Sequence, residues 1–214
     1  MEPASILPAY MAELKAQNNI RVLVHHDRRI VYQIDCVGGT GTVEVLPLFS
    51  GMVLQFLSFR CKSFHPSEIK EMGDCLKINY CLEGRMEVRM SDNLLLFMEP
   101  GNLSIDVRKA RDGFHFPCGH YQGTELLFPA FAMRQEPPEM LRLLGVDGKR
   151  VQSRFCQNAQ RYVVRADERF RKLFEDMGSA PCECRIPYLQ MKAAELLLLL
   201  CSSDMPPKSE EGSL

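Results

Sequence analysis

The chain has 214 residues, of which 46% are hydrophobic and 25% are charged. These proportions are typical of a globular protein and exclude wholesale disorder. Lys and Arg number 26 against 27 Asp and Glu, which gives a formal net charge of -1. Because nucleic-acid-binding surfaces need an excess of positive charge, we do not expect these residues to contact DNA directly.

Cysteine usage and apolar segments indicate the compartment. Nine cysteines, an odd number, are scattered along the chain, and no signal peptide with a basic start and an apolar middle is present. Free thiols in such number are typical of a reducing cytoplasm. The longest apolar run, 196–201, is far shorter than the roughly 20 residues that span a bilayer. We therefore expect a cytoplasmic protein with no membrane partner.

The first two thirds of the chain predict β-structure. A short amphipathic helix is expected at 5–17, within an N-terminal segment 1–19. Short runs rich in Val, Ile and aromatic residues then alternate with turn residues, without helical crossovers, which favours an antiparallel sandwich or barrel. The glycine-rich stretch 38–41 and Asp112-Gly113 are predicted to be turns. The predicted strands are 20–25, 30–37, 43–46, 52–60, 75–82, 85–90, 94–98, 103–108 and 125–131.

A helical pattern follows from residue 134. One short helix is predicted at 139–144, closed by Gly145. Apolar residues at helical spacing predict a second helix over 167–177. The third helix, through 188–201, has Pro187 in its first turn. The last two form a helical hairpin in a subdomain at 134–202, and the polar residues 203–214 predict a linker or tail.

Several motifs in fixed order resemble a known family. The segments 80–88 (YCLEGRMEV), 94–98 and 100–103 resemble the core of the cupin fold. Continued through 116–123 (FPCGHYQG), the pattern is similar to the N-terminal effector-binding and dimerisation domain of AraC-family bacterial transcription regulators. The final helix is similar to the one that precedes their DNA-binding half. The resemblance covers 20–202 and implies a mainly β fold with C-terminal helices: a cupin-like (double-stranded β-helix or jelly-roll) barrel at 20–133, followed by the helical hairpin.

The chain departs from enzymatic cupins at the metal positions. Those enzymes hold a metal ion with three His and one Glu. When Gly84 is aligned with the closing glycine of the first cupin motif, the Glu position falls on Lys77 and the last His position falls on Ser104. The two remaining His positions fall among Lys70, Glu71, Met72 and Gly73. The resemblance therefore predicts a protein that is not an enzyme and has no metal and no cofactor.

An effector site is predicted on one face of the strand at 75–82. Lys77, Asn79 and Cys81 share that face, while Leu76 and Ile78 lie on the other. Burial alone would turn the apolar face inward. The resemblance instead turns the polar face inward, opposite Ser104. The apolar face can then still be buried if helices cover the outside of the sheet. The segment 116–123 either closes the barrel or brings its two polar residues to the pocket rim. The predicted effector-binding residues are thus Lys77, Asn79, Cys81, Ser104, His120 and Tyr121.

The leucine-rich final helix either packs on its own barrel or forms a homodimer, and its wide apolar stripe favours the dimer. The predicted dimerisation residues are Leu189, Ala193, Leu196, Leu197 and Leu200. The pair in Cys182-Glu183-Cys184 lacks a second ligand pair, which favours surface thiols over a metal or redox site.

The function implied by the resemblance is sensing of a small-molecule effector. DNA would be reached only through a helix-turn-helix domain absent from this chain, either truncated or naturally lost. Two alternatives remain: a stand-alone cupin enzyme, such as an isomerase or dioxygenase, and a binding module with no regulatory role.

Overall fold

A computed structural model describes residues 11–201 of the chain, apart from 13, 16, 27, 50, 66–74, 91–94, 108–109 and 158–161. Its strands agree with the alternating pattern of the sequence. They are β1 (Ile20–His26), β2 (Arg29–Cys36), β3 (Gly39–Phe49), β4 (Met52–Arg60), β5 (Ser63–Phe64), β6 (Cys75–Gly84), β7 (Met86–Met90), β8 (Leu95–Met98), β9 (Asn102–Asp106), β10 (Ala110–His115), β11 (Tyr121–Pro129) and β12 (Tyr162–Arg165).

The strands form two antiparallel sheets. The large sheet has the order β1-β2-β3-β4-β11-β6-β9-β12, and the small sheet has the order β5-β10-β7-β8. A bridge between Val37 and Ser63 joins the end of β2 to the small sheet. Apolar side chains of both sheets meet in one buried cluster, so the sheets face each other.

The helices follow the sheets in the chain. They are α1 (Ala130–Arg134), α2 (Glu139–Leu143), α3 (Gly148–Phe155), α4 (Glu168–Gly178) and α5 (Arg185–Cys201). Asp147 and Asp167 accept hydrogen bonds from the first turns of α3 and α4, which fixes where these helices begin. Gly145, with a φ of 66°, ends the segment that contains α2.

The large sheet is covered on both faces. The face we call the inner face carries residues such as Val45 and Tyr121 and packs toward the small sheet. The outer face carries Leu76, Ile78 and Tyr80 and packs against α3, α4 and α5. The rings of Tyr80 and Phe174 on α4 are stacked with centroids 4.4 Å apart. This arrangement explains how a strand with an apolar outer face can turn polar residues inward.

The prediction of antiparallel strands followed by C-terminal helices is confirmed. The structure corrects three local expectations. The glycine-rich stretch 38–41 is a turn only at its start, since β3 begins at Gly39, and Asp112-Gly113 lies inside β10. The segment 134–202 is not helical throughout, because β12 returns to pair with β9. Its helices share one core with the outer face of the large sheet.

Parts of two predictions lie outside the described residues. In the predicted N-terminal helix, 11–12 and 14–15 are helical, and Met11 and Leu14 pack into the cluster between the sheets. The rest of that helix and the predicted tail at 203–214 are not described. None of the described helices is long and apolar enough to cross a membrane.

Candidate binding site between the sheets

The inner face of the large sheet carries a row of polar side chains. Strand register places Gln55 beside Glu125, Glu125 beside Asn79, and Asn79 beside Ser104, across β4, β11, β6 and β9. We call these four residues the polar row. Gln55, Asn79 and Ser104 are buried, and Glu125 is half-buried. Protein interiors seldom concentrate polar groups, because burial removes their hydration.

Tyr121 reaches the polar row from the start of β11. Its hydroxyl donates a hydrogen bond to Oδ1 of Asn79 over 3.0 Å, and the whole side chain is buried. A Cβ at Gly123 would lie 2.6 Å from the Tyr121 hydroxyl oxygen, so only glycine leaves room for the ring to pass over the strand. Burial raises the pKa of Tyr121 well above its usual value, while the bond to Asn79 lowers it less. The phenol is therefore a neutral donor at physiological pH.

Two charged side chains lie beside the polar row. Lys77 on β6 is in register with Asp106 on β9, one step along the inner face from Asn79 and Ser104. Asp106 is buried, whereas Lys77 is half-buried. Burial raises the pKa of Glu125, within the row, and the positive charge of Lys77 offsets part of that effect. The buried and half-buried described residues of β4, β6, β9 and β11 thus bring one cationic group and two carboxyl groups to the inner face.

Cys81 and the opposite wall supply the apolar surroundings. The Cys81 side chain is fully buried, and its sulfur lies 3.7 Å and 3.8 Å from the carbonyl oxygens of Glu83 and Gly84. Burial, helped by the charge of Glu99, raises the pKa of Cys81 to about 12, so it is a thiol and not a nucleophilic thiolate at neutral pH. The small sheet contributes apolar side chains: Met86, Val88, Leu96 and Met98.

Five of the six predicted effector-binding residues share the inner face. These are Lys77, Asn79, Cys81, Ser104 and Tyr121. His120 does not belong to this group, because its side chain is exposed and its Nδ1 lies 3.1 Å from the carbonyl oxygen of Cys118. Phe116, from the same loop, packs 5.8 Å from the Tyr121 ring between the sheets. The loop therefore closes the end of the inter-sheet space with its aromatic residues and turns His120 outward.

The sequence prediction missed three residues of the site. Gln55, Asp106 and Glu125 each lie within a predicted strand, and each places a polar side chain at a position that alternates with apolar residues. That interruption was the available signal. It did not identify a site, because only the pairing of β4, β11, β6 and β9 brings the three together.

The former metal positions lie partly outside the described residues. Lys77 and Ser104 are on the inner face, as the resemblance implies. Lys70, Glu71, Met72 and Gly73 fall in 66–74 and are not described. Within the described part of the chain, no three His, Cys, Asp or Glu residues cluster as a metal site would require.

The predicted dimerisation residues are all in the core of one chain. Leu189, Ala193, Leu196, Leu197 and Leu200 are each 0% exposed and pack against the outer face of the large sheet. These side chains are already covered within the chain. The exposed apolar residues of α5 are instead Met191 (67%) and Leu198 (40%), which lie seven positions apart on its outer side. A homodimer through α5 stays a prediction, with these two residues as its contact.

Comparisons with known proteins place the chain among distant structural neighbours. No family model and no curated protein matches it. EutQ from Salmonella typhimurium aligns at 14% identity and a TM-score of 0.35, covering 53% of this chain and 97% of EutQ. Ectoine synthase from P. lautus aligns at 13% identity and a TM-score of 0.33, covering 45% and 68%. ToxT from Vibrio cholerae, an AraC-family regulator, aligns at 8% identity and a TM-score of 0.42, covering 70% and 54%.

These likenesses are compatible with a cupin fold. With every TM-score below 0.5, they carry no argument about function. The functional conclusion therefore rests on the residues between the sheets.

Proposed function

We propose that this chain is the effector-binding half of an AraC-type transcription regulator, in which a cupin-like barrel holds a small polar molecule and carries out no catalysis. The polar row on the inner face carries the proposal. Gln55, Glu125, Asn79 and Ser104 lie side by side on four neighbouring strands and face an apolar wall. A few convergent polar groups opposite apolar side chains are the usual lining of a small-molecule site.

A purely structural role explains this composition less well. A sheet face that only had to pack against its neighbour would be stabilised by apolar residues, as the outer face is here. Asn79 and Ser104 instead place an amide and a hydroxyl between two apolar surfaces. Burial of such groups costs stability unless they are hydrogen-bonded. Tyr121 donates to Asn79 within the chain, and a ligand would add partners that the apolar wall does not supply.

The proposed site has a short physical connection to the C-terminal helices. Asn79 is followed by Tyr80, whose side chain points to the outer face and stacks on Phe174 of α4. Lys192 of α5 in turn contacts Asp176 of α4, with Nζ 3.0 Å from Oδ2. A ligand that binds one arrangement of β6 better than another would therefore also favour one arrangement of α4 and α5. Those helices would present the signal to a DNA-binding domain.

A screen for ligands tests the proposal directly. The purified chain is heated with and without individual sugars, amines, organic acids and aromatic metabolites, and the melting temperature is recorded. A ligand at 100 times its Kd is expected to raise the melting temperature by roughly 5 °C or more. Binding is then measured by calorimetry.

Two variants locate the binding. Asn79→Leu and Ser104→Val remove polar groups of the inner face and are expected to weaken binding at least tenfold. Glu83→Gln changes an exposed residue on the same strand as Asn79 and is the matched control, which should bind as the native chain does. If no compound class stabilises the chain, or if both inner-face variants bind normally, the proposed site is wrong.

A further inference from the structure

We propose, resting on the function above, that the ligand of the inter-sheet site is a small organic cation, with a primary ammonium group on an apolar body. The charges of the inner face favour an ammonium group near Glu125, and the side chains of the small sheet favour an apolar body opposite.

Among the buried and half-buried described residues of the inner face on β4, β6, β9 and β11, there is one more carboxyl group than cations. Lys77 lies in register with Asp106 on one side, and its positive charge also acts on Glu125 on the other. One lysine is thus shared by two carboxyl groups. Because a carboxylate withdrawn from water is costly unless a cation accompanies it, the site gains when a positive charge enters it.

The groups around Glu125 do not supply that second cation. Burial raises its pKa, and Lys77 is the charged neighbour that opposes the rise. The other described residues that face it carry no charge at neutral pH: Gln55 on β4, Asn79 and Cys81 on β6, Ser104 on β9 and Tyr121 on β11. The small sheet faces the site with Met86, Val88, Leu96 and Met98.

An ammonium ligand matches both walls. Its three N–H groups are donors only, and the side-chain oxygens of Glu125, Gln55 and Asn79 are acceptors on the same face. A carboxylate ligand would meet two carboxyl groups and only one lysine. The methionine and branched side chains opposite fit an alkyl or aryl body better than a second charged group.

Binding of such a cation is coupled to a proton. Burial raises the pKa of Glu125, and a bound ammonium group would lower it again by favouring the ionised carboxylate. The proton passes from Glu125 to the buffer, so affinity for the ammonium group rises with pH until Glu125 is fully ionised. The proton count is obtained from binding enthalpies in two buffers with different ionisation enthalpies.

The test compares matched ligands that differ only in the polar group. Benzylamine, benzyl alcohol and benzoate form one set, and pentylamine, pentanol and pentanoate form another. We expect each amine to bind at least tenfold more tightly than its alcohol or acid. Amine binding should also release a fraction of one proton per bound ligand. If an acid or an alcohol binds best, the inter-sheet site stands and the ammonium assignment is overturned. If neither set nor the metabolite screen gives a ligand, both proposals fail.

Two variants change the charge of the site in opposite directions. Glu125→Gln removes the excess carboxylate and is expected to weaken amine binding and abolish proton release. Lys77→Met removes the like charge and is expected to strengthen amine binding by roughly tenfold. A merely structural Lys77 would instead weaken binding when replaced, which overturns the charge argument. If Lys77→Met does not fold, Asp106→Asn is used in its place. We expect this variant to bind the amine more weakly, and unchanged or tighter binding would contradict the proposal.

Discussion

Tyr121 and Asn79 lie on adjacent strands of the large sheet, 42 positions apart in the chain, and share a buried hydrogen bond of 3.0 Å. Tyr121 opens β11, and Asn79 is in the middle of β6, inside the polar row. The bond fixes the orientation of the Asn79 amide on the inner face. Several measurable consequences depend on this pair and on its neighbours.

Removing the Tyr121 hydroxyl is expected to destabilise the protein. In Tyr121→Phe, Oδ1 of Asn79 stays buried without its donor, which costs about 1–3 kcal/mol in the free energy of unfolding. Urea denaturation measures the change. Tyr188→Phe removes a hydroxyl from a half-buried tyrosine on α5 and is the control, with an expected change within about 0.5 kcal/mol. Equal effects of the two variants would contradict a special role for the Tyr121–Asn79 bond.

A methyl group at Gly123 is expected to displace the Tyr121 ring. The added Cβ would lie 2.6 Å from the hydroxyl oxygen, closer than atoms in contact approach. Gly123→Ala should therefore lower both the stability and the affinity of the inter-sheet ligand. Gly178→Ala is the matched control, because a Cβ at the end of α4 meets nothing within 4 Å. If Gly123→Ala melts and binds as the native chain does, Tyr121 does not pass over the strand at this point.

The stability contributed by Glu44 is expected to depend on pH. Burial would raise the pKa of Glu44, but Arg185 and Arg29 outweigh it with hydrogen bonds, and the pKa is lowered. The Arg185 nitrogens lie 2.7 Å and 2.8 Å from the two carboxylate oxygens and attach the start of α5 to β3. A depressed carboxyl pKa contributes stability above the unfolded-state pKa, and this contribution is lost as the pH falls through the folded-state pKa.

Glu44→Gln should accordingly destabilise the protein at pH 7 by about 1–2 kcal/mol and by progressively less below pH 4.5. Urea denaturation at a series of pH values measures this difference. Glu83→Gln, at an exposed position, should show no such dependence. A Glu44→Gln effect that is constant from pH 7 to pH 3 would show that the ion pair does not contribute.

The outer side of α5 is expected to mediate self-association. Met191→Glu or Leu198→Glu places a charge among exposed apolar residues and should dissociate a homodimer without unfolding the chain. Sedimentation equilibrium measures the mass. Met140→Glu changes an exposed methionine on α2 and should leave the mass unchanged. A monomeric native chain would contradict the dimer.

Leu196→Ala, by contrast, opens a cavity in the core of the chain and should lower the free energy of unfolding by about 2–5 kcal/mol.

Thiol reactivity is expected to divide the cysteines by position. Cys118, Cys182 and Cys184 are exposed and should react first with iodoacetamide at pH 8. Burial, with a hydrogen bond to Cys61, raises the pKa of Cys36 to about 12, and burial raises the pKa of Cys81 to about the same value. Only roughly one thiol in ten thousand is then ionised at pH 8, so both should stay unmodified until urea unfolds the chain. Peptide mass spectrometry gives the order, and early labelling of Cys81 would contradict its burial.

The strands and the last two helices were predictable because their patterns are local. Alternation in 75–82 and apolar spacing in 167–177 follow from the geometry of a strand and a helix. β12 was missed, since four residues flanked by helical segments give too short a pattern. β10 was missed because Asp112-Gly113 has the composition of a turn, whereas pairing with β5 and β7 holds it in a strand.

The final helix shows why a pattern alone does not identify its partner. Leu189, Leu196 and Leu200 form an apolar stripe that fits a dimer and a core equally well. The tertiary structure decides between them, since α5 lies on the outer face of the large sheet and buries all three. The exposed residues Met191 and Leu198 were not singled out, because they are outside the stripe.

The sequence by itself determined which residues of β6 share a face: Lys77, Asn79 and Cys81 on one, Leu76, Ile78 and Tyr80 on the other. Successive side chains of a strand point in opposite directions, so this division needs no knowledge of the fold. Burial of apolar residues and the family resemblance predicted opposite orientations of this strand, and the tertiary structure decided that the polar face is the inner one. The reason is that α4 and α5 bury the apolar face from outside, which leaves the polar face free to line the space between the sheets. It is also strand pairing over long sequence distances that brings Gln55, Asp106 and Glu125 to the same site.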